Sequence, residues 1–186
     1  MKILHEKKRK IDLPMEVVIE NFCDLDHVNY VHKKCYKYCN IVRKKENIMF
    51  LDAGVYPIPP LPIAQHYTMF HEFIPPNKII HYSKKKNSNK YVKSQVFFEE
   101  ENGITTITHK HQLEVPFYLY PLKKVIIKLI DRWSDILWEE DSEIMEIRHA
   151  QLKKGFKDGA HCGKWILKEG KPSFEFYDKK KAIKQL

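Results

Sequence analysis

The centre of the chain, residues 35–115, repeats a pattern that is typical of strands. Segments rich in Tyr, Val, Ile, Phe and Thr are separated by clusters of turn-forming residues. The pattern predicts strands at residues 35–45, 48–56, 64–74, 78–84, 91–100 and 104–115, after a first strand at residues 2–12. Because the connections are short, we expect a mostly antiparallel sheet of about seven strands.

Two segments show helical spacing instead. In residues 14–32, Pro14 suits the first turn of a helix, and apolar residues follow at helical intervals. In residues 117–154, apolar residues recur every three or four positions, and Gly155 is the expected stop. The positions on this apolar stripe are Leu122, Val125, Ile126, Leu129, Ile130, Trp133, Leu137, Trp138, Ile144 and Met145, with Arg148 continuing it. The sequence therefore predicts an α+β fold in which a long C-terminal helix covers the sheet.

Length and composition predict one globular domain. The 186 residues, 43% hydrophobic and 31% charged, fit a single domain over residues 1–186, with residues 156–186 as a C-terminal extension. No apolar run approaches the roughly 18–20 residues that span a bilayer, and the first ten residues are too charged for a signal peptide. The four Cys lack the density of a disulfide scaffold. We expect a cytoplasmic protein with reduced thiols and no membrane span.

The net charge of +9 suggests nucleic acid as a partner, but the kinds of basic residue argue against it. Four of the 33 basic residues are Arg, the residue that planar, bidentate recognition of bases and phosphates favours. The Lys-rich runs at residues 7–10, 84–86 and 179–181 are expected at strand ends, in a loop and in a tail. A solvated surface is the simpler interpretation, and a docking face for an acidic protein partner is the more specific one.

The candidate chemistry is concentrated in residues 24–32. His27 and His32 offer two imidazoles, and a first-row divalent metal with open coordination positions is typically held by two His and one carboxylate. Asp24 lies three residues before His27, on the same helical face, where it can orient the imidazole. Five residues of unbroken helix would separate the two His by about 140° around the axis. A shared metal therefore requires an irregular turn between them.

The third ligand must come from a distant part of the chain. Asp141 is the best candidate because it falls on the apolar stripe of the late helix, where an ionised carboxylate is costly unless it is paired or binds a metal. The alternative is a carboxylate at the edge of the stripe that reaches water or an Arg. The neighbouring Glu139, Glu140 and Glu143 are expected to point elsewhere.

A second pair of histidines occupies the last predicted strand. His109 and His111 alternate onto one face of the sheet, where they are candidates for substrate contacts. Half-buried strand histidines with ordinary hydrogen-bond partners are the commoner outcome. His66 and His71 have different parity on their strand, so they cannot both face inward.

Both candidate metal segments resemble a known family. Residues 20–32, with the pattern Asp-x2-His-x4-His, resemble the iron-binding segment of the catalytic domain of Rieske-type ring-hydroxylating oxygenases. Residues 138–144 resemble the late helix that carries the third ligand of that family. The resemblance implies the helix-grip fold of START-like lipid-binding proteins, a curved antiparallel sheet wrapped around a long C-terminal helix. It also implies a mononuclear Fe(II) held by His27, His32 and Asp141, with Asp24 supporting the first His and helping to carry electrons.

The chain departs from that family in lacking the Cys-x-His and Cys-x2-His ligands of a Rieske 2Fe–2S cluster. The resemblance therefore predicts an Fe(II) and O2-dependent oxygenase that acts on a hydrophobic or aromatic small molecule. Its electrons must then come from a separate donor, such as an acidic ferredoxin-like or Rieske protein. The alternative is a non-catalytic START-like carrier of a hydrophobic ligand. A metal-dependent hydrolase or cyclase of the same fold has no distinct support in the sequence.

Overall fold

The computed structural model describes residues 1–59, 61–153, 163–168 and 171–176. Its main feature is a seven-stranded antiparallel sheet in the order β1-β7-β6-β5-β4-β3-β2. The strands are β1 Lys2–Ile11, β2 Tyr36–Lys45, β3 Ile48–Val55, β4 Gln65–Ile74, β5 Lys78–Lys85, β6 Tyr91–Glu101 and β7 Ile104–Glu114. The predicted sheet of about seven strands is confirmed, with each strand end within one or two residues of its expected position.

The hairpin between β6 and β7 shows how local chemistry sets these bounds. The two central residues of its turn, Asn102 and Gly103, have φ angles of 54° and 79°. This left-handed conformation is one that Asn and Gly adopt at least cost, which is why the pair favours two-residue hairpins. Consecutive strands from β2 to β7 are neighbours in the sheet, whereas β1 crosses to pair with β7 at the other end.

The segment between β1 and β2 joins the two edges of the sheet. It forms helix α1, Met15–Cys23, and the four-residue helix α2, Val28–Val31. The helix expected over residues 14–32 is therefore broken at residues 24–27, which hold two Asp, a residue type that competes with helical backbone hydrogen bonds. The four residues between the two histidines form α2 itself, so the irregular turn expected between them is not found; the chain is irregular before α2, at residues 24–27, and again at His32, with φ −88° and ψ 40°.

Helix α3, Lys123–Lys153, is 31 residues long and crosses the sheet. A 3₁₀ helix, Phe117–Leu122, precedes it, and Gly155, the expected stop, lies outside the described residues. Most of the predicted apolar stripe faces the protein interior. Leu122, at the end of the 3₁₀ helix, and Val125, in the first turn of α3, are exceptions, being 51% and 53% exposed.

Salt bridges connect α3 to the edge strand β1. Lys7 Nζ and Arg9 Nη2 lie 2.6 and 2.5 Å from Asp135 Oδ1, and Arg9 also donates to Ser134 Oγ at 2.9 Å. For the basic run at residues 7–10 the sequence suggests either a solvated surface or a docking face for an acidic partner. Instead the alternation of the strand turns Lys7 and Arg9 toward the helix and leaves the other two Lys exposed.

Two hydrophobic clusters lie between the sheet and the helices. The larger cluster joins α1 and Met145 of α3 to the middle strands, with Val18 and Phe98 fully buried. The smaller cluster lies between α2 and strands β2 to β4, around Leu51 and Ala53. This arrangement, a curved antiparallel sheet around a long C-terminal helix, is the helix-grip fold.

The C-terminal region adds a two-stranded antiparallel sheet of β8, Gly163–Lys168, and β9, Lys171–Phe176. The expected extension at residues 156–186 thus contains at least one strand pair, and the single domain over residues 1–186 stays a prediction. Within the part of the chain that the structure describes, no helix is long and apolar enough to cross a membrane.

Candidate metal centre and ligand pocket

His27, His32 and Asp141 meet at one point in the fold. His27 immediately precedes helix α2 and His32 immediately follows it, so one short helical turn separates them. The two Nε2 atoms are 3.2 Å apart. Asp141 Oδ1, from α3, lies 3.3 Å from His27 Nε2 and 3.1 Å from His32 Nε2. Among the described residues, these three form the one group of His, Cys, Asp or Glu whose ligand atoms could hold a metal ion together.

The geometry fits a divalent metal. Ligand atoms about 2.1 Å from a metal, at angles of about 90–110°, lie about 3.0–3.4 Å from one another. All three distances in the cluster fall in that range. Two imidazole nitrogens that face each other at 3.2 Å require a hydrogen or a metal between them: either one ring donates its Nε2–H to the other, or both nitrogens bind a metal. Two His and one carboxylate are the donor set typical of non-haem Fe(II) with open coordination positions.

Asp24 supports this cluster from behind His27. The Asp24 Oδ2 atom lies 3.8 Å from His27 Nδ1, longer than a hydrogen bond, so the carboxylate acts on the ring chiefly through its charge. Asp24 is 1% exposed and is paired with Arg148, whose Nη2 donates to Oδ2 at 2.7 Å. Arg148 Nη1 also donates weakly to Asn21 Oδ1 at 3.4 Å, and Asn21 Nδ2 donates to Asp141 Oδ1 at 2.9 Å. Arg148 and Asn21 thus connect the supporting carboxylate to the proposed metal ligand.

Glu140 supports the second histidine, contrary to expectation. Its Oε2 atom lies 3.0 Å from His32 Nδ1, and its Oε1 atom lies 3.4 Å from Lys34 Nζ. A carboxylate at Nδ1 fixes the tautomer that leaves the Nε2 lone pair free for a metal. The expectation that Glu140 points elsewhere is wrong, because His32 and Lys34, just beyond α2, reach the α3 flank on which Glu140 lies. The spacing of Glu140 on its own helix contained no signal of this contact.

Electrostatics couple the three candidate ligands. Burial lowers the pKa of His27, but the Asp141 and Asp24 carboxylates outweigh it and raise the pKa to about 9. Burial opposes the ionisation of Asp141, yet the two histidines hold its pKa well below the usual range. Burial also opposes the ionisation of Asp24, and His27 and Arg148 together hold its pKa below normal. The cluster therefore favours a cation at its centre, and a proton and a metal compete for the same position.

A pocket of about 480 Å³ adjoins the cluster. It lies between the concave face of the sheet and α3, and His27, His32 and Asp141 form part of its wall. The rest of the lining is mainly apolar and includes Trp133 and Leu137 of α3. The volume and character match sites that enclose a hydrophobic small molecule.

The pocket also contains four further histidines. His109 and His111 line it, as expected for candidate substrate contacts, and so do His71 and His81. His66 is exposed on the outer face of β4, with Nδ1 2.6 Å from the Tyr38 hydroxyl, in agreement with the parity argument. The sequence alone assigns no position to His81. In the β4–β5 pair His81 lies directly opposite His71, a register that single strands do not specify.

No family model matches the sequence, and no curated protein matches it. Solved structures do match in fold. The protein TTHA0849 from Thermus thermophilus is 15% identical, with a TM-score of 0.64 over 78% of this chain and 98% of its own. The Zhui aromatase/cyclase from Streptomyces sp. R1128 is 10% identical, with a TM-score of 0.66 over 80% of this chain and 96% of its own. A START superfamily protein from Mycobacterium smegmatis is 13% identical, with a TM-score of 0.58 over 80% and 98%.

The chain has a START-like helix-grip fold. The matched proteins include an aromatase/cyclase and a START superfamily protein, and at identities of 10–15% they show the fold alone. These comparisons do not indicate a Rieske oxygenase catalytic domain, so that part of the sequence resemblance rests on the residues of the candidate site alone.

Proposed function

We propose that this protein binds a hydrophobic small molecule in the pocket between the sheet and α3. The observation that carries this proposal is the pocket itself, about 480 Å³ with a mainly apolar lining in a START-like fold. Binding is favourable because the apolar surface of a ligand leaves water there, at roughly 25 cal/mol for each Å² buried. The proposal corresponds to a carrier or to the binding step of an enzyme.

The test is a titration with the neutral apolar dye N-phenyl-1-naphthylamine, whose fluorescence rises on transfer from water. We expect saturable binding to wild type and at least a tenfold weaker affinity in Val92→Trp, because Val92 lines the pocket and the larger ring fills it. Val42→Trp is the matched control, since Val42 is 69% exposed on β2. Equal affinity in all three proteins would contradict binding in this pocket.

A second candidate function is a metal-dependent oxygenase, and the convergence of His27, His32 and Asp141 favours it. In this proposal the three residues hold one Fe(II) at the pocket wall, with the unprotonated Nε2 atoms and Oδ1 as ligands. Bound Fe(II) would supply the chemistry of dioxygen activation. The chain itself would orient the ligands through Asp24 and Glu140, and the apolar pocket would position the substrate and exclude water.

Electrons in this oxygenase proposal come from a separate protein. The net charge of +9 suits an acidic ferredoxin-like or Rieske donor through electrostatic steering. Such steering weakens as salt screens the charges. Turnover with an acidic donor protein should therefore slow as ionic strength rises, and a rate independent of salt would contradict this steering.

Elemental analysis of protein purified without oxygen tests the metal site. We expect about one iron per chain in wild type, none in His32→Ala, and wild-type content in His66→Ala, which replaces an exposed histidine outside the pocket. Absence of stoichiometric metal from wild type even after reconstitution with Fe(II) would overturn the oxygenase proposal. The ligand-binding proposal would then stand alone, because it does not depend on a metal.

A further inference from the structure

The floor of the pocket carries a continuous row of polar side chains, called here the polar row. Its members are His71, His81, Ser94, His111 and His5, one from each of the neighbouring strands β4, β5, β6, β7 and β1. Each is the direct cross-strand partner of the next, so all five side chains lie on the concave face. Neighbouring strands lie about 4.8 Å apart, so the row extends about 19 Å across the sheet.

The members of the polar row are in contact at several points. Ser94 Oγ is 2.8 Å from His111 Nδ1, and the His71 and His81 rings have centroids 6.0 Å apart. The His5 and His111 rings are stacked at 6.3 Å. At the outer end, His5 Nε2 is 2.8 Å from Asp131 Oδ1 on α3. Four of the five members, all except His5, line the pocket.

Buried histidine nitrogens in the polar row, and in His109 beside it, lack hydrogen-bond partners within the described part of the chain. The Nε2 atoms of His71, His109 and His111 are buried and have no partner among the described residues. His71 is 3% exposed. His109 precedes His111 by two residues on β7, so its side chain faces inward as well. A buried polar nitrogen without a partner costs about 1–3 kcal/mol, so native proteins supply one from the protein, from water or from a ligand. Rotation of an imidazole about χ2 is broad and two-fold, which lets a ring turn such a nitrogen toward the pocket.

We propose that the polar row recognises the oxygen substituents of the pocket's ligand, an uncharged hydrophobic molecule that carries hydroxyl or carbonyl groups. This inference rests on the proposed ligand-binding function and adds the substrate class. A neutral imidazole offers one donor and one acceptor, so a row of them suits hydroxyl groups, which do the same, and carbonyl groups, which accept. A hydrocarbon or plain lipid chain would leave these nitrogens unsatisfied.

The charge of the pocket argues for an uncharged ligand. The described residues that line it include no Lys or Arg, and the one cationic group there, the His27–His32–Asp141 cluster, has its charge offset by the Asp141 carboxylate. An anion would therefore find no unpaired cation among the described lining residues. Burial, together with the neighbouring histidines, lowers the pKa of His71 and of His109 to about 3, which keeps both rings neutral at physiological pH. Asp141 is the one carboxylate in the lining, and its contacts with His27 and His32 occupy it.

The test compares two probes of nearly equal shape, 2-naphthol and 2-methylnaphthalene, by calorimetric titration at neutral pH. The measured quantity is the ratio of the dissociation constant of 2-methylnaphthalene to that of 2-naphthol, which isolates the hydroxyl group. In at least one of the single variants His71→Leu and His111→Leu, we expect this ratio to be about tenfold lower than in wild type. Loss of one hydrogen bond to the hydroxyl group accounts for a change of that size. His66→Leu, on the outer face of β4, should keep the wild-type ratio.

Folding does not confound this comparison. His71→Leu removes a buried nitrogen that has no partner among the described residues, so this variant should fold with wild-type circular dichroism. His111→Leu also removes the contact with Ser94 Oγ, so circular dichroism checks its fold, and His71→Leu carries the test if the second variant unfolds. If the probes bind and the ratio is the same in every variant, the inference is overturned while the pocket function stands. If wild type binds neither probe, the proposed pocket function fails as well.

A separate measurement tests whether the ligand of the pocket is uncharged. The anion 2-naphthoate, of similar size, should bind wild type at least tenfold more weakly than 2-naphthol, because its carboxylate would lose water without gaining a cation. Binding of 2-naphthoate as tight as that of 2-naphthol would overturn the assignment of an uncharged ligand. Titration of the His32→Ala variant in the same way separates any contribution of bound iron from both results.

Discussion

The roles of single residues depend on which atom each presents to its neighbour. His32 places Nδ1 against Glu140 and Nε2 against Asp141, so one ring connects a supporting carboxylate to the candidate metal position. His27 has the same arrangement with Asp24 at Nδ1, at a longer distance. Each ring therefore has a carboxylate near Nδ1 and turns Nε2 toward the candidate metal position, the arrangement that metal-binding histidines share.

The first prediction concerns Glu140. Glu140→Gln should weaken metal binding about 10–100-fold while the fold survives, because a neutral amide holds the His32 tautomer less firmly than a carboxylate does. Glu139→Gln is the matched control, since Glu139 is the adjacent exposed residue on α3. Metal affinity is measured by competition with a chromophoric chelator. Equal affinity in the two variants would remove Glu140 from the centre.

The second prediction concerns the buried pair of Asp24 and Arg148. Arg148→Met should reduce the free energy of unfolding by about 3–5 kcal/mol, because it leaves an ionised Asp24 buried without its partner. The double variant Asp24→Asn with Arg148→Met should recover part of that loss. Urea denaturation followed by circular dichroism measures both. A single variant as stable as wild type would show that the pair is not ionised in the folded protein.

At the scale of elements, the position of the site depends on where helices stop. Helix α1 ends at Cys23, and α2 is a single turn that ends at Val31, so His32 lies beyond it in a non-helical conformation with φ −88° and ψ 40°. A helix continued through His32 would point the two rings about 140° apart, whereas their Nε2 atoms are 3.2 Å apart. Helix α3 continues for 31 residues without a break and brings Asp141 to the same point.

The third prediction concerns the β6–β7 hairpin. Gly103 has φ of 79° and no neighbouring atoms that a Cβ would meet, so Gly103→Ala tests backbone conformation alone. We expect a loss of about 1–2 kcal/mol in the free energy of unfolding, the usual cost of a left-handed conformation for a residue with a Cβ. Asn102→Gly, one residue earlier, should change stability by less than about 0.5 kcal/mol. If Gly103→Ala is neutral in urea denaturation, the turn does not require its glycine.

At the scale of the whole molecule, the most unusual property is the number of neutral histidines enclosed by the sheet and α3. Burial lowers the pKa of His71 and His109 to about 3 and that of His81 and His111 to about 4, with neighbouring histidines adding to the shift. In the unfolded chain each has a pKa near 6.5. Between about pH 6.5 and pH 4 the unfolded state therefore binds protons that the folded state does not.

The fourth prediction is a loss of stability in mild acid. The contribution of these neutral histidines to the free energy of unfolding is fully present above pH 6.5. It is lost as the pH falls toward 4, by up to about 1.4 kcal/mol per pH unit for each histidine. Glu20 opposes this loss of stability. Burial is the main cause that raises its pKa to about 7, so in mild acid the folded state binds one proton that the unfolded state does not. Urea denaturation at several pH values measures the slope. His71→Leu should make it shallower and His66→Leu should not, and a stability independent of pH would contradict the prediction.

The number and bounds of the strands follow from the sequence alone, because alternation, turn residues and short connections are local properties. The pairing of β1 with β7 does not. The sequence also indicated His27, His32 and Asp141 as a group, since two imidazoles close together and a carboxylate on an apolar stripe are unusual in any fold. Their convergence within 3.1–3.3 Å was decided only by tertiary structure. So were the contact between Glu140 and His32 and the pairing of Asp24 with Arg148, which join residues more than 100 positions apart. The polar row likewise depends on cross-strand register, which single strands do not specify until the sheet has assembled.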